Sequence, residues 1–370
     1  MRHSSYLEID LSLVHRNYEL VKKLAPRTQV LGMVKSNAYG NGMTPVSEFL
    51  INECGLTTLG TATLGEALTL FNESPRLNAR VLVFSDTEIQ DEHCREAYLS
   101  YNITPVIHQC SDLDVMLTDP KMKKVPLVLK VNTGMNRLGM SAEELEPYLP
   151  RLKNRGVEHL LTHFAYSYMI LKDGDKCHRQ MDEFRRIKKM LTDAGVAVRE
   201  TSVSNSGAIE QGFGVDETFV RPGLMLYGPP SVLDPIIWNG SQISRLVTKV
   251  LKTFTVKKGV PIGYGINVTS SDGFMAVIPM GYGDGLIAYG SGTTVKVNGC
   301  DGYIFGRINM DMAFLFFESA AAARIKTGDP VELWSHDNRM ITDIALQNKT
   351  IPYQLMCGIS GRVPRVYRTK

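Results

Sequence analysis

The sequence predicts an α/β protein, with an N-terminal (β/α)8 barrel of the TIM type followed by a mostly β C-terminal domain. Up to about residue 230, short β-branched runs alternate with amphipathic helical segments. The number of strands reaches eight, which is the count of a (β/α)8 barrel. After Trp238 the pattern changes to short strands separated by Gly and Asn-Gly turns. We therefore divide the 370 residues into a barrel at 1–238, whose first residues could pair with the second domain, and a β domain at 239–370.

The eight predicted barrel strands are short apolar runs. They are Val30–Val34, Leu56–Leu59, Arg80–Phe84, Ile103–Ile107, Pro126–Val131, Glu158–Thr162, Glu200–Val203 and Thr218–Val220. Apolar residues three and four apart, with charges between them, predict helices in the intervening segments. The clearest are Leu13–Ala25, Thr44–Asn52, Gly65–Asn72, Ala142–Asn154 and Met181–Ala194. A doubly wound open sheet is the alternative, but the count of eight and the polar residues at the strand ends favour the barrel.

The C-terminal domain is predicted to contain six short strands and one helix. The strands are Val247–Val256, Phe274–Pro279, Thr293–Asn298, Asp301–Phe305, Met312–Phe317 and Pro330–Leu333. Gly259, Gly290 and the Asn298-Gly299 pair punctuate them, as turns between strands require. Only Ile341–Gln347 has a helical pattern.

Composition excludes several classes of function. The formal net charge is +3, so no global charge favours a nucleic acid or a membrane surface as partner. No apolar run reaches the roughly 18 residues of a transmembrane helix. Glu8 and Asp10 interrupt the N-terminus where a signal peptide needs an apolar stretch, and we expect a cytoplasmic protein. The six cysteines form no CxxC pair and the histidines no HExxH, so neither a disulfide scaffold nor a metal site is expected.

Chemically active side chains follow the predicted barrel strands. Lys35 comes directly after the first strand, where flanking apolar residues would make its amine less basic and suited to an imine. Arg137 follows the fifth strand and His163 ends the sixth. Since the C-terminal ends of barrel strands form the active-site face, we expect these side chains to meet at one mouth.

The last two barrel strands add an anion site to this mouth. Ser204-Asn205-Ser206-Gly207 and Arg221-Pro222-Gly223 bring hydroxyls, small residues and free backbone N–H groups. A lysine, two arginines, a histidine and a phosphate site on successive strand ends suggest a phosphorylated carbonyl cofactor held as an imine. Pyridoxal 5′-phosphate fits this description.

These segments resemble the alanine racemase family of fold-type III pyridoxal-phosphate enzymes, from Leu7 to Tyr367. In the barrel the matching blocks are VKSNAYGNG, NTGMNRLGM, LTHFA, SNSGA and VRPGLMLYG. In the β domain they are GYGINVTS, IPMGYGDG, GRINMDM and PYQLMCGISGRVPRVY. Each block alone is weak, but nine in the same order over two domains form a specific signature.

The resemblance implies a role for each matching residue. Lys35 would bond covalently to the cofactor and serve as one catalytic base, with Tyr264 as the opposing base. Arg221 would hydrogen-bond the pyridine nitrogen, Arg137 would reach the phenolic oxygen and the substrate, and His163 would lie close to the ring. The remaining cofactor-binding residues would be Asn205 and the phosphate ligands Tyr39, Ser206, Gly223, Leu224 and Tyr353.

The resemblance also implies a homodimer whose active site is shared. Met310 would offer its backbone N–H to the substrate carboxylate. Tyr264 and Met310 would both act across the interface, because in the family the barrel mouth is completed by the partner's C-terminal domain. Two bases on opposite faces allow the α-proton to leave one face and return on the other.

The predicted activity is racemisation of L- and D-alanine for peptidoglycan precursors. Racemases of serine, lysine or several amino acids share every catalytic residue and stay open as alternatives. A fold-type III decarboxylase is less favoured, because Arg221 is always protonated and can only donate to the pyridine nitrogen, whereas a decarboxylase has a carboxylate there. A non-catalytic pyridoxal-phosphate carrier resembles the barrel alone, and Tyr264 and Met310 disfavour it.

The chain departs from the family pattern at four places. Asn132 and Asn136 replace a usual acid and glycine around the Thr-Gly-Met motif. Ser202 stands where many members have a histidine that supports the pyridine-facing arginine, and Leu286-Ile287-Ala288 replaces an aromatic-Pro-Arg motif. Lys130 occupies a position that is carbamylated in some members, and an ordinary lysine paired with a neighbouring acid is the alternative.

Overall fold

The predicted fold class is confirmed by a computed structural model that describes residues 3–369. A first strand, β1 (Tyr6–Asp10), precedes eight parallel strands that close into a barrel. These strands, β2 to β9, are Gln29–Met33, Thr58–Thr63, Arg80–Asp86, Ile103–Ile107, Val128–Lys130, Val157–Leu161, Val198–Asn205 and Phe219–Arg221. Each overlaps one predicted strand. The open-sheet alternative is wrong, because Gln29 pairs with Phe219 and closes the ring.

Helical segments follow the strands and cover the outside of the barrel. The segments α1 to α11 are Leu11–Leu24, Lys35–Tyr39, Met43–Asn52, Leu64–Glu73, Glu92–Ser100, Cys110–Thr118, Ala142–Leu145, Leu149–Arg155, Lys176–Asp193, Ser206–Glu210 and Leu224–Tyr227. The predicted helix Ala142–Asn154 is divided by a 3-10 turn at Glu146–Tyr148, where Pro147 and Pro150 lack the N–H that a continuous helix needs. Within residues 3–369, no helix is both long and apolar enough to cross a bilayer.

The remaining strands form a mostly antiparallel sheet of nine strands, in the order β11-β12-β15-β14-β13-β16-β10-β1-β17. Strands β10 to β17 are Ser244–Lys249, Lys252–Val256, Gly273–Ile278, Thr294–Val297, Cys300–Phe305, Ala313–Phe317, Pro330–Trp334 and Arg365–Arg368. Two helices, α12 (Asn338–Gln347) and α13 (Pro352–Gly358), complete this part of the chain.

Two predictions for the β domain are wrong in detail. The single strand Val247–Val256 is two strands, because the N–H groups of Val250 and Leu251 bond to Asp329 and Val277 and the chain changes its pairing partner between them. The helix at Ile341–Gln347 is not the only one. The second helix, α13, begins with Pro352, whose fixed φ suits a first helical turn, but its few apolar residues give no helical period.

The first strand joins the C-terminal sheet. Leu7 pairs with Leu246 of β10 on one side and with Arg365 of β17 on the other. The carboxylate of Glu8 is almost fully buried, and it accepts a hydrogen bond from Arg245 Nε at 2.6 Å. The first and the last described strands, β1 and β17, therefore lie side by side in one sheet. The predicted boundary at 238/239 stays a prediction.

Candidate active site

A cavity of about 310 Å³ lies at the C-terminal ends of the barrel strands. Four cationic side chains line it, and no Asp or Glu is among the described lining residues. The four are Lys35, Lys130, Arg137 and Arg221. Like charges repel one another strongly in a low-dielectric cavity. An anionic ligand bound among the four cations would offset this repulsion.

Lys35 leads into a left-handed turn. The four residues after it, Ser36 to Tyr39, have φ angles of 52°, 56°, 51° and 54°. Such a conformation costs roughly 1–2 kcal/mol for each L-residue. Two side-chain acceptors help to hold it, since Ser36 N donates to Glu66 Oε1 at 2.6 Å and Met43 N donates to Asn37 Oδ1 at 2.8 Å. Backbone bonds within the turn, such as Gly40 N to the Ser36 carbonyl oxygen at 2.9 Å, add to them. The turn brings both Lys35 and Tyr39 to the cavity, which is where backbone strain is commonly stored for function.

The amine of Lys35 is less basic than that of an ordinary lysine. Burial lowers its pKa, and the positive charge of Arg137 lowers it further. A lower pKa increases the share of the neutral amine, which is the form that attacks a carbonyl or takes up a proton.

A group of small and hydroxyl-bearing residues lines the cavity next to Tyr39. Ser206 Oγ accepts hydrogen bonds from Gly223 N at 3.0 Å and Met225 N at 3.4 Å, so its own proton is free to be donated. Gly223 packs against the Tyr39 hydroxyl so closely that no Cβ would fit. The Tyr39 and Tyr353 rings lie 5.7 Å apart, and burial raises the pKa of Tyr353 to about 12. These groups are neutral donors at neutral pH, which suits a bound phosphate.

Arg221 is almost fully buried, and neutral oxygens hold its guanidinium. Nη1 donates to Ser202 Oγ, and Nη2 donates to the carbonyl oxygens of Thr162 and, at 3.2 Å, of Val203. Burial lowers the pKa of Arg221 to about 9, so the group keeps its charge at neutral pH. Its Nε makes no hydrogen bond to any described residue, which leaves a donor for a ligand in the cavity.

His163 and Asn205 meet beside Arg221. Asn205 Nδ2 lies 3.1 Å from the Phe164 carbonyl oxygen and 3.3 Å from His163 Nε2. Burial lowers the pKa of His163 well below its usual value, and Arg221 and Lys130 add to this effect. The ring is therefore neutral at pH 7, and it presents a flat, uncharged surface to the cavity.

Lys130 has no carboxylate partner among residues 3–369, so the expectation of a lysine paired with an acid is wrong. Its side chain is 6% exposed. Burial and the charges of Arg137 and Arg221 lower its pKa to about 8. A buried amine of this kind is partly neutral just above neutral pH, which is the form that carbamylation requires.

Replacing Lys130 should stabilise the cofactor-free protein at neutral pH. With the pKa lowered from 10.5 to about 8, and about 1.4 kcal/mol per pKa unit, the buried charge costs roughly 3 kcal/mol. Lys130→Met should therefore raise the free energy of unfolding by about that amount at pH 7. As the pH rises from 8 towards 10.5, the folded wild type releases a proton that the unfolded chain still holds, so the wild type recovers stability and the gap should shrink.

The measurement is urea unfolding of wild type and variant at pH 7 and pH 9.5. Lys123→Met is a matched control, because Lys123 is exposed and its removal should open no pH-dependent gap. A gap for Lys130→Met that is the same at both pH values would contradict the burial argument.

Three predicted site residues do not line the cavity of their own chain. Tyr264 is 66% exposed and Met310 is 53% exposed, and both lie in the β domain. Leu224 follows Gly223 directly, but its side chain is buried away from the cavity. The other predicted residues are all brought together in the cavity, and they are Lys35, Tyr39, Arg137, His163, Asn205, Ser206, Arg221, Gly223 and Tyr353.

The structure accounts for two of the departures noted in the sequence. Asn136 has a φ of 56°, in the left-handed region that glycine and asparagine tolerate best. Asn132 Oδ1 accepts hydrogen bonds from Gly134 N at 3.1 Å and Asn136 N at 3.0 Å, so an amide oxygen does what a carboxylate would do. Leu286 and Ile287 pack against the apolar core of the β domain.

Among the cavity residues that sequence reasoning missed are two serines outside the barrel strands. Ser231 lines it, and its N–H and that of Val232 donate to the buried Glu210 carboxylate at 2.7 and 3.0 Å. Ser167 also lines it and donates to Asn205 Oδ1 at 2.6 Å. Ser167 lies in the segment between β7 and α9 and Ser231 in the segment after α11, so no strand-end pattern could have located them. No group of three or more His, Cys, Asp or Glu side chains in the described range could hold a metal ion.

The fold and the cavity together define a class of enzyme. It is a barrel enzyme with a second, mostly β part, and a lysine of lowered pKa and three further cations line the cavity at the mouth of the barrel. Family models for the alanine racemase N-terminal domain and C-terminal domain match residues 9–230 and 243–367. The chain belongs to the alanine racemase family, and the predicted membership and its class of isomerase are confirmed.

Relatives and solved structures match the chain over its length. An alanine racemase of Alcanivorax borkumensis is 33% identical, covering 97% of this chain and 98% of the relative. An alanine racemase of Nitrosococcus oceani is 30% identical, covering 96% and 97%. The crystal structure of alanine racemase from Bartonella henselae with covalently bound pyridoxal phosphate has a TM-score of 0.87 at 25% identity, covering 99% of this chain and 100% of that chain.

Proposed function

We propose that this chain is a cytoplasmic alanine racemase that uses pyridoxal 5′-phosphate to interconvert L- and D-alanine and supplies D-alanine for peptidoglycan. The observation that carries the proposal is the cavity beside Lys35, with four cations and no carboxylate among its described lining residues. An anionic cofactor with an aldehyde would satisfy both the excess positive charge and the neutral share of the Lys35 amine.

The residues of the cavity fit the cofactor. Ser206 has a hydroxyl proton without an acceptor, Gly223 leaves room where a side chain would clash, and Tyr39 and Tyr353 add phenolic donors. These four residues and the backbone of Leu224 would hold the phosphate. When bound, pyridoxal phosphate would supply an electron-withdrawing ring that acidifies the α-proton of the substrate.

The remaining groups orient the ring and the substrate. The unpartnered Nε–H of Arg221 would donate to the ring nitrogen and leave it unprotonated, which weakens electron withdrawal and disfavours side reactions. His163 and Asn205 would lie beside the ring. Arg137 would face its phenolic oxygen and, with the backbone N–H of Met310, the substrate carboxylate.

The proton moves between the two faces of the substrate. Lys35 would take or return the α-proton on one face, since its lowered pKa makes the neutral amine available. Tyr264 would act on the opposite face. Because each base serves one face, the substrate need not rotate in the site between removal and return of the proton.

The proposal includes a homodimer, since Tyr264 and Met310 are exposed and outside the cavity of their own chain. Two apolar residues near them in sequence are also exposed, Ile266 at 96% and Met312 at 41%. An exposed apolar surface of this kind is typical of an interface. The partner's β domain would bring these residues over the barrel mouth.

The direct test is racemisation by purified protein supplied with pyridoxal phosphate. We expect conversion of L-alanine to D-alanine and of D-alanine to L-alanine. Chiral chromatography measures both reactions. After borohydride reduction, peptide mass mapping should place a pyridoxyl group on Lys35. Serine and lysine should give lower kcat/KM values than alanine.

Three results would count against the proposal. If kcat/KM for lysine or serine were equal to or higher than that for alanine, alanine would not be the preferred substrate. Release of CO2 from basic amino acids would indicate a decarboxylase. Cofactor on Lys35 without turnover of any amino acid would indicate a carrier protein.

A further inference from the structure

A chain of buried polar groups runs from the cavity through the interior of the barrel. His159, fully buried on β7, lies with Nε2 2.8 Å from Ser202 Oγ, and Ser202 Oγ accepts from Arg221 Nη1. On its other side, His159 Nδ1 lies 3.5 Å from Glu200 Oε2. Glu200 in turn accepts from Arg80 Nη2 at 2.7 Å. Arg80 begins β4, so this chain connects the mouth of the barrel to its opposite end.

The direction of the hydrogen bonds follows from what each group is able to donate. The guanidinium of Arg221 only donates, so Ser202 Oγ is the acceptor in that bond. Ser202 Oγ bonds to no other described residue than Arg221 and His159, so its proton points to His159 Nε2. The ring must then carry its own proton on Nδ1, on the side of the Glu200 carboxylate.

Two further observations support this arrangement. The His159 ring stacks on Phe219, with centroids 5.4 Å apart, which fixes the plane of the ring. Burial lowers the pKa of His159 well below its usual value, and Arg221 and Arg80 lower it further, so the ring is neutral and Nε2 is free to accept. Within the described residues, His159 Nδ1 makes no hydrogen bond of good geometry. The negative charge of the Glu200 carboxylate, 3.5 Å away, nevertheless favours the tautomer with a proton on Nδ1.

We propose that His159 is a positioning residue, which accepts the Ser202 proton and so keeps the Ser202 oxygen turned towards the Arg221 guanidinium. The inference rests on the proposed function, because Arg221 is there assigned to the ring nitrogen of the cofactor. Arg221 has no carboxylate partner among residues 3–369, and its described partners are three neutral oxygens. Each of these three oxygens therefore helps to fix the position of the buried Arg221 guanidinium.

The first experiment determines the tautomer of His159 in the wild-type protein. Protein labelled with 15N in histidine would be recorded by NMR, and the His159 signals assigned by their loss in His159→Gln. We expect a proton on Nδ1, an unprotonated Nε2, and no titration between pH 6 and pH 8. A proton on Nε2, or a ring that becomes charged in this range, would overturn the proposal.

The second experiment compares three variants by their affinity for pyridoxal phosphate and by kcat. His159→Leu keeps the volume but loses the acceptor, and should weaken cofactor binding by about tenfold. His159→Gln keeps a carbonyl acceptor for Ser202 and should change binding by no more than about threefold. In a Ser202→Ala background, His159→Leu should have almost no further effect, because its partner is already gone. Thermal unfolding monitors whether each variant is folded.

The outcomes separate this inference from the proposed function. Equal losses in His159→Leu and His159→Gln, or losses that add in the Ser202→Ala background, would show that His159 acts only through packing and would overturn the inference. A wild type that binds no pyridoxal phosphate would instead defeat the proposed function. The tautomer experiment needs no cofactor, so its failure counts against His159 alone.

Discussion

Lys35→Ala is expected to abolish covalent attachment of pyridoxal phosphate and to lower kcat for alanine by at least about 10³-fold. The variant loses both the amine that bonds the cofactor and the base that serves one face of the substrate. Borohydride reduction and mass mapping measure the first loss, and chiral chromatography of the alanine product measures the second.

The fold should survive this substitution. Burial and Arg137 disfavour the charged amine of Lys35, so its removal takes an unfavourable charge out of the cavity. In thermal unfolding, the Tm of the variant should therefore lie at most a few degrees below that of the wild type. Methylamine added to the variant should restore part of the activity, because a free amine takes the place of the missing one.

Two controls define the interpretation. Lys35→Arg keeps the positive charge but offers no nucleophilic amine, and it should be as inactive as Lys35→Ala. Lys123→Ala removes an exposed lysine and should behave as wild type. Wild-type turnover in Lys35→Ala, or a pyridoxyl adduct on another lysine, would defeat the assignment of Lys35.

The barrel could be predicted because its signals are local. A parallel strand in a barrel is buried on both faces and appears as a short apolar run, and Ile103–Ile107 was predicted with the bounds that the structure has. The residues after the strands were found for the same reason, since the fold places strand ends at one mouth. Lys35, His163 and Arg221 follow this rule.

The parts that the local pattern left undefined depend on distant partners. The first residues were expected to pair with the second domain, but no strand could be delimited there. β1 is a strand because Leu7 pairs with Leu246 and Arg365, which lie more than two hundred residues away along the chain. The left-handed turn after Lys35 contains Ser36 and Asn37, and nothing in their types demands four positive φ angles in succession. Part of its support comes from Glu66, which the pairing of β2 with β3 brings near.

The chain from His159 to Arg221 shows the same limit at the level of the site. His159 is a single histidine within an apolar strand, and Ser202 appeared only as a departure from a family pattern. Their contact depends on the register between β7 and β8, in which His159 pairs with Glu200 and Leu161 with Ser202. Without the register between β7 and β8, the sequence does not predict that His159 and Ser202 are neighbours.

Tyr264→Phe is expected to lower kcat by about 10² to 10⁴-fold, while covalent attachment of the cofactor to Lys35 persists. Tyr264 is 66% exposed in the single chain, so loss of its hydroxyl should change the stability of the monomer by less than about 0.5 kcal/mol. In D2O, the variant should still exchange the α-proton of one alanine enantiomer at the face served by Lys35, but without inverting it. Exchange of both enantiomers at wild-type rates would contradict the two-base scheme.

Mixing the two inactive variants tests whether Tyr264 acts in the partner's site. In a dimer of one Lys35→Ala chain and one Tyr264→Phe chain, a shared active site has Lys35 from one subunit and Tyr264 from the other, so one of the two sites is intact. Random reassociation makes half of the dimers mixed, and activity should return to about a quarter of the wild-type value. If both residues acted within one chain, every site would lack one base, and no activity would return. The two outcomes differ by at least about fiftyfold, even if Tyr264→Phe alone retains about 1% of kcat, so activity measurements alone decide the subunit arrangement.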